Sequence, residues 1–286
     1  YGKLSGIDKS GLKAGARVDA DEYNKEDVQD FVLWKGAKPE DKSAGAVWDA
    51  PFGKGRPGWH IECSAMCMKY MGETFDIHAG GIDLLFPHHE NEIAQAEGAT
   101  DKPFVKYFVE GEHLLVDGQK MSKSLGNFYT LRDIEDKGYD PLEFRYLVMT
   151  THYRSKINFT QESLSAARKG LRELKITVEK MLVAERLDGI RDLTKYKKEF
   201  DDAILDDLNT PRALAAAWKM IGDYSANPDD YNNKEVLNTL YAFDEIFGLG
   251  LKDITSVEIP PNIKELADER EKFRVEKNWA ESDRLR

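Results

Sequence analysis

Two groups of residues in this chain could do chemistry. The first is Lys120-Met121-Ser122-Lys123-Ser124, which follows a short apolar run, Leu114-Leu115-Val116, and a turn-forming pair, Asp117-Gly118. Two ammonium groups and two hydroxyls on a connection between a strand and a helix can meet a polyphosphate. Gly126, just beyond, resists no backbone conformation, so such a loop can move. By composition alone, a loop rich in Lys and Ser is more often simply solvated. The second group is Cys63, His88 and Glu92. His88 and Glu92 lie four apart, so one helix face presents both. Thiolate, imidazole and carboxylate are all competent zinc donors. Cys67 competes with Cys63, and His89 with His88. Spacing alone leaves those choices open, and it equally allows a metal-free pair on a helix surface.

Periodic segments must position these groups. Residues 1 to about 50 are rich in Gly, Lys and Asp, with a turn-laden stretch at 9–15 and a strand-like run, Phe31-Val32-Leu33-Trp34. Gly53-Lys54-Gly55-Arg56-Pro57-Gly58 reads as a loop, because Gly and Pro break both periodic structures. It lacks the Gly-Lys-Ser/Thr ending of a phosphate-binding loop. Residues 59–71 suit a helix, 74–78 a buried strand ending at Gly80-Gly81, and 88–97 a second helix stopping at Gly98. Residues 104–109 and 114–116 are further strands. This alternation predicts an α/β unit with a mostly parallel sheet. Ligands bind beyond the carboxyl ends of such strands, where the Gly80-Gly81-Ile82-Asp83 loop would sit.

After Asn127 the pattern turns helical. Asp140-Pro141-Leu142-Glu143 reads as N-cap, first-turn proline and capping box. Leu164, Ala167, Leu171, Leu174 and Val178 recur at helical period over 161–183. Thr210-Pro211 repeats the cap-then-proline start. Val236, Leu237, Leu240, Phe243, Ile246 and Phe247 form another stripe, of the kind that fills a helix-bundle core. A boundary near 186–195 separates this bundle from what precedes it.

The 286 residues suffice for two or more structural units. No stretch approaches the roughly 20 apolar residues of a membrane helix. Only two cysteines are present, which suggests no disulfide framework and fits a reducing cytoplasm. The net charge of −11 argues against a nucleic-acid partner, yet ten Lys and Arg residues gather between Arg168 and Lys198. A locally basic face can still serve, since screening confines distant charge to about 10 Å.

The order Lys-Met-Ser-Lys-Ser is the signature loop of class I aminoacyl-tRNA synthetases. Its companions are Gly58-Trp59-His60-Ile61-Glu62-Cys63-Ser64-Ala65-Met66, His78-Ala79-Gly80-Gly81-Ile82-Asp83 and Phe86-Pro87-His88-His89-Glu90-Asn91-Glu92. Together they closely resemble cysteinyl-tRNA synthetases. The resemblance continues through His152-Tyr153-Arg154-Ser155 and Asp206-Asp207-Leu208-Asn209-Thr210-Pro211, over essentially the whole chain.

The resemblance implies a fold and a division of labour. Residues 1–50 would be the tail of an insertion, and 51–130 the second half of a Rossmann-like catalytic domain. Residues 131–194 would be a helical stem-contact region, and 195–286 a truncated tRNA-binding bundle. It implies a metal set of Cys63, His88 and Glu92 on one zinc ion, completed by a cysteine outside this chain, with the zinc holding the substrate thiol. Trp59 would line the cysteine pocket. His78, Gly80, Gly81 and Asp83 would cradle the adenosine. Lys120 and Lys123 would stabilise charge on the phosphates of ATP-Mg, Lys123 foremost. The partners implied are cysteine, ATP and tRNA(Cys), for a monomer in the cytoplasm. Two other readings share these residues: a cysteine ligase of thiol biosynthesis acting on an amino-sugar, and a non-catalytic module binding tRNA or protein.

The chain opens at Tyr1 and carries no His-Ile-Gly-His segment, which this family holds near its N-terminus. The expectation is an internal segment that does not activate cysteine alone. Cysteine-dependent ATP–pyrophosphate exchange by the isolated 286-residue chain should be undetectable. Exchange at the rate of a full-length synthetase would contradict this.

Overall fold

The computed structural model describes residues 1–6, 30–122, 124–184, 186–255 and 260–285. Lys123 and the turn-laden stretch at 9–15 lie outside them. The chain divides into two compact units. Tyr1–Lys120 with Tyr153–Ile157 forms the first, and Met121–His152 with Asn158–Arg286 the second.

In the first unit, β1 (Trp34–Gly36) pairs antiparallel with β2 (Gly55–Pro57). Both depart from the sequence reading. The strand starts where the apolar run ends, and the expected glycine-rich loop supplies its partner, because Trp34 faces Pro57 and Gly36 faces Gly55. Between them lies a short helix, α1 (Pro39–Ser43). Then α2 (Trp59–Met71) runs over the residues expected and ends at Gly72, whose φ of 94° is a left-handed stop that a side chain would strain.

The centre of this unit is a βαβ arrangement. β3 (Phe75–Gly81) and β4 (Val105–Gly111) pair in parallel from Phe75↔Val105 to Gly81↔Gly111. Parallel strands need a crossover, and α3 (Glu90–Thr100) is part of it. A widened turn, Leu85–His89, leads into α3 across a cis Phe86–Pro87 bond. Gly80 and Gly81 therefore belong to β3 rather than to a loop. Nor does α3 stop at Gly98; it continues until Asp101 adopts φ 56°. Ala96, fully buried, is packed with Phe75 and Phe104, with Cys67, Met68, Ile93 and Phe108 around them. That apolar anchor outweighs the cost of about 1 kcal/mol for an interior glycine.

β5 (Leu114–Val116) and β6 (Gln119–Lys120) form a hairpin. Asp117 and Gly118 make its turn at φ 48° and 76°, the pair of positive values that suits a two-residue hairpin. Ile157 then returns to the unit, its N–H donating to the His113 carbonyl at 3.3 Å. Among the described residues, one parallel pair beside short antiparallel ones makes this an α/β unit with less sheet than the alternation predicts.

The second unit is helical. α4 (Leu131–Asp136) and α5 (Pro141–Met149) start at Thr130 and Asp140, each closing a capping box, as read for Asp140. α6 (Gln161–Val183) has the expected bounds and buries Leu164, Ala167, Leu171, Leu174, Val178 and Met181. α7 (Thr194–Leu205), α8 (Thr210–Ala226) and α9 (Asn233–Phe247) complete the bundle. Phe200 of α7 stacks on Phe243 of α9 at 3.9 Å. The cap of α8 is Asn209, accepting from Arg212 N–H, rather than Thr210. Ile246, expected in the α9 stripe, is 46% exposed. α10 (Pro261–Val275) and α11 (Trp279–Arg284) follow.

Leu174→Ala should destabilise the second unit by about 2–5 kcal/mol, because it empties a site that is 2% exposed. Denaturant unfolding followed by circular dichroism checks this, and a loss below 1 kcal/mol would contradict it.

Candidate metal centre

α2, β3 and α3 bring together residues that are far apart in sequence. Donor atoms of Cys63, His88 and Glu92 lie within 4.8 Å of one another. Cys63 comes from the second turn of α2, His88 from the widened turn, and Glu92 from the first turn of α3. The structure thus assembles three sequence candidates at one point. Cys67, one helical turn on, packs against the apolar cluster of Phe75 and Phe104. Both thiols are free.

Glu92 has no exposed surface, and His88 is 4% exposed. His88 Nε2 stands 3.2 Å from one Glu92 oxygen, and His78 Nε2 3.0 Å from the other. Both contacts are too poorly directed to satisfy the two buried oxygens fully, so each keeps lone-pair capacity. Burial pushes the Glu92 carboxyl upward, yet the neighbouring His78 and His88 outweigh it and hold the group at about 2. The Cys63 thiol is driven the other way, to about 11, by burial and then by the Glu92 charge. Without a cation the site therefore holds a protonated thiol beside an ionised carboxylate. A divalent cation reverses the thiol's preference, because a coordinating sulfur is deprotonated. An orphaned buried carboxylate with a sulfur and an imidazole in reach fits zinc.

The remaining site candidates divide. Trp59 is 52% exposed and stacks on His88, ring centres 4.4 Å apart. His78 turns its ring to Glu92 and lies among Phe75, Phe104 and Phe108. With His89 and Glu92 it forms a second donor cluster within 4.8 Å. A Cβ on Gly80 would meet the His89 ring at 2.5 Å, so the bare backbone makes room for that imidazole. His89 Nδ1 in turn contacts Glu110 at 2.7 Å. Asp83 is exposed on the turn after β3. Lys120 ends β6, paired with Leu115. Beyond it, Ser122 N–H donates to Asn127 Oδ1 at 2.9 Å, and Gly126 takes φ 66°. Several of the basic residues of 168–198 are paired with acids: Arg168 with Glu143, Arg186 with Asp229, Lys198 with Asp202.

Sequence reasoning missed two features. Glu90, beside the donors, accepts from the N–H groups of Gly2, Leu4 and Ser5 and from the Ser5 hydroxyl, and so ties the first residues to α3. His60 lies 2.7 Å from His88, nitrogen to nitrogen. Its place next to Trp59 was the signal available.

Known proteins frame this geometry. The family of tRNA synthetases class I (C) catalytic domain matches residues 1–169. A cysteine–tRNA ligase of Leptospira interrogans serovar Lai is 46% identical over all of this chain and 63% of its own length. One from Chlamydia caviae is 43% identical over all of the chain and 62% of its own length. The agnB2 LeuRS of Agrobacterium radiobacter K84, solved in a ternary complex with tRNA and LeuAMS, superposes with a TM-score of 0.54. That match covers 77% of this chain and 35% of the other at 12% identity, a likeness of fold alone. The chain belongs to the class I tRNA synthetases, in the cysteinyl-tRNA synthetase family. It spans about 63% of the length of such relatives. Among the described residues no helix is long and apolar enough to cross a membrane.

Gly80→Ala should force the His89 ring aside and cost about 1–3 kcal/mol by overpacking. A drop in the thermal midpoint checks it; an unchanged midpoint would show that the ring has room to yield.

Proposed function

We propose that this chain is the cysteine-binding and phosphate-binding part of a cysteine–tRNA ligase. That enzyme joins cysteine to ATP as cysteinyl-adenylate, releasing pyrophosphate, and then passes the acyl group to a ribose hydroxyl at the 3′ end of tRNA(Cys). The observation that carries the reading is the buried Cys63–His88–Glu92 cluster in a chain of this family. Cys63, His88 and Glu92 hold one zinc ion, with a fourth protein donor from outside this segment. When bound, zinc takes a soft sulfur in preference to a hydroxyl, which separates cysteine from serine where an apolar pocket would not.

The chain's other residues bind and orient. Trp59 presents an aromatic face beside His88 and closes one side of the cysteine pocket. The stretch from Gly80 and Gly81 to Asp83 borders the adenosine, and Asp83, on an exposed turn, accepts from ribose hydroxyls. The ring of His78 borders that stretch. Lys120 and Lys123 meet ATP-Mg. Negative charge grows on pyrophosphate as it leaves, so a lysine there favours the transition state over the ground state. Residues 131–194 and 195–286 face tRNA, and the domain division read from the sequence is part of this proposal. Cytoplasmic translation is the setting it requires.

The test uses the full-length protein that contains this segment. His88→Ala should lower zinc content and weaken cysteine binding while leaving ATP affinity unchanged. Lys123→Ala should do the reverse: cysteine binding intact, and adenylate formation slowed by about 2–4 kcal/mol of lost transition-state stabilisation. Metal analysis, cysteine titration and single-turnover adenylate formation separate the two. Full zinc occupancy with unchanged cysteine affinity in His88→Ala would overturn the assignment.

A further inference from the structure

His88 has two ring nitrogens, and both have neighbours. Nε2 stands 3.2 Å from the Glu92 carboxylate. Nδ1 stands 2.7 Å from Nδ1 of a second imidazole, His60. Two imidazole nitrogens share a hydrogen bond only when one carries a proton and the other a lone pair. With Nδ1 engaged by His60, the atom left for a metal is Nε2, on the Glu92 side. A nitrogen that binds a cation must be bare, so the neutral His88 ring keeps its proton on Nδ1. His60 Nδ1 is then the acceptor, and the proton of His60 sits on Nε2.

The surroundings hold this arrangement in place. His60 and Trp59 open α2, whereas His88 stands on the widened turn before α3. Trp59 covers the flat face of His88, with ring planes 28° apart and centres 4.4 Å apart. His60 meets its edge, ring centres 4.9 Å apart. One face and one edge of His88 are therefore fixed by two consecutive residues of the helix that also carries Cys63. The first turn of α2 sets the histidine donor, and the second turn supplies the sulfur donor.

We propose that His60 is a positioning residue for the metal: its Nδ1 accepts the His88 Nδ1–H and thereby fixes the tautomer and ring orientation that expose His88 Nε2. The proposal rests on the zinc reading above. A partner of this kind raises the basicity of the ligand it holds, and losing it typically weakens metal binding about 10–100-fold.

The test compares four forms of the full-length protein loaded with zinc: wild type, His60→Asn, His60→Leu and His60→Phe. Asn offers an acceptor oxygen near the position of Nδ1. Leu and Phe fill the space without one, and two apolar variants guard against either failing to fold. The readouts are zinc release to a chromophoric chelator and the absorption spectrum of the cobalt(II)-substituted proteins. Release should quicken at least about tenfold in the apolar variants, with an altered cobalt spectrum, and stay near wild type in His60→Asn. Equal release from the apolar variants and wild type would overturn the proposal. So would His60→Asn behaving like His60→Leu, because packing rather than the hydrogen bond would then be responsible. A wild-type protein that binds no zinc would overturn the zinc reading itself; a zinc-replete wild type with unaffected variants would overturn only the role of His60.

Discussion

Glu92 is ionised and has no exposed surface. Removing a carboxylate from water costs on the order of several kcal/mol after all relaxation, unless charge or hydrogen bonds replace the water. The two imidazoles beside it, His78 and His88, replace that water only in part, because neither aims a hydrogen squarely at an oxygen. A cation shared with Cys63 would complete the compensation. Much of the first unit can be understood as the scaffold that this carboxylate demands.

That scaffold has three parts. α2 delivers Cys63 and covers His88 with Trp59. The parallel pair of β3 and β4 brings His78 beneath the carboxylate, and Gly80 leaves space for His89. The widened turn at Leu85–His89 sets two consecutive histidines into the interior, each 4% exposed or less, where a regular helix would carry neighbouring residues about 100° apart. Glu90, next in sequence, is turned to the first residues of the chain. Burial would raise its pKa, but the Ser5, Gly2 and Leu4 N–H groups and the Ser5 hydroxyl hold it below the ordinary value. Four successive side chains of one short segment, His89 to Glu92, thus meet different partners: Glu110, the backbone of the first residues, the Tyr1 hydroxyl and the donor group of His78, His88 and Cys63.

The sequence made some of this legible because the signal was local. The bounds of α2 and α6 follow from apolar period and stop signals, and the Asp140 cap from its own side chain. The Asp117-Gly118 turn follows from two residues that accept positive φ. The cluster of Cys63, His88 and Glu92 came from residue chemistry and the family resemblance. What was not legible depends on tertiary contact. α3 runs past Gly98 because Ala96 is buried, and β2 exists because Trp34 and Gly36 need partners. His60 and His78 reach the donors only once α2 and β3 pack on α3. No spacing in the chain announces a nitrogen-to-nitrogen contact between residues 60 and 88.

We propose that this buried cluster reads the sulfur of the substrate. The most direct measurement replaces zinc with cobalt(II) in the full-length protein and follows its absorption spectrum during titration with cysteine, then with serine. The spectrum should change saturably with cysteine and be indifferent to serine. A spectrum that does not respond to cysteine, while cysteine is shown by calorimetry to bind, would contradict it.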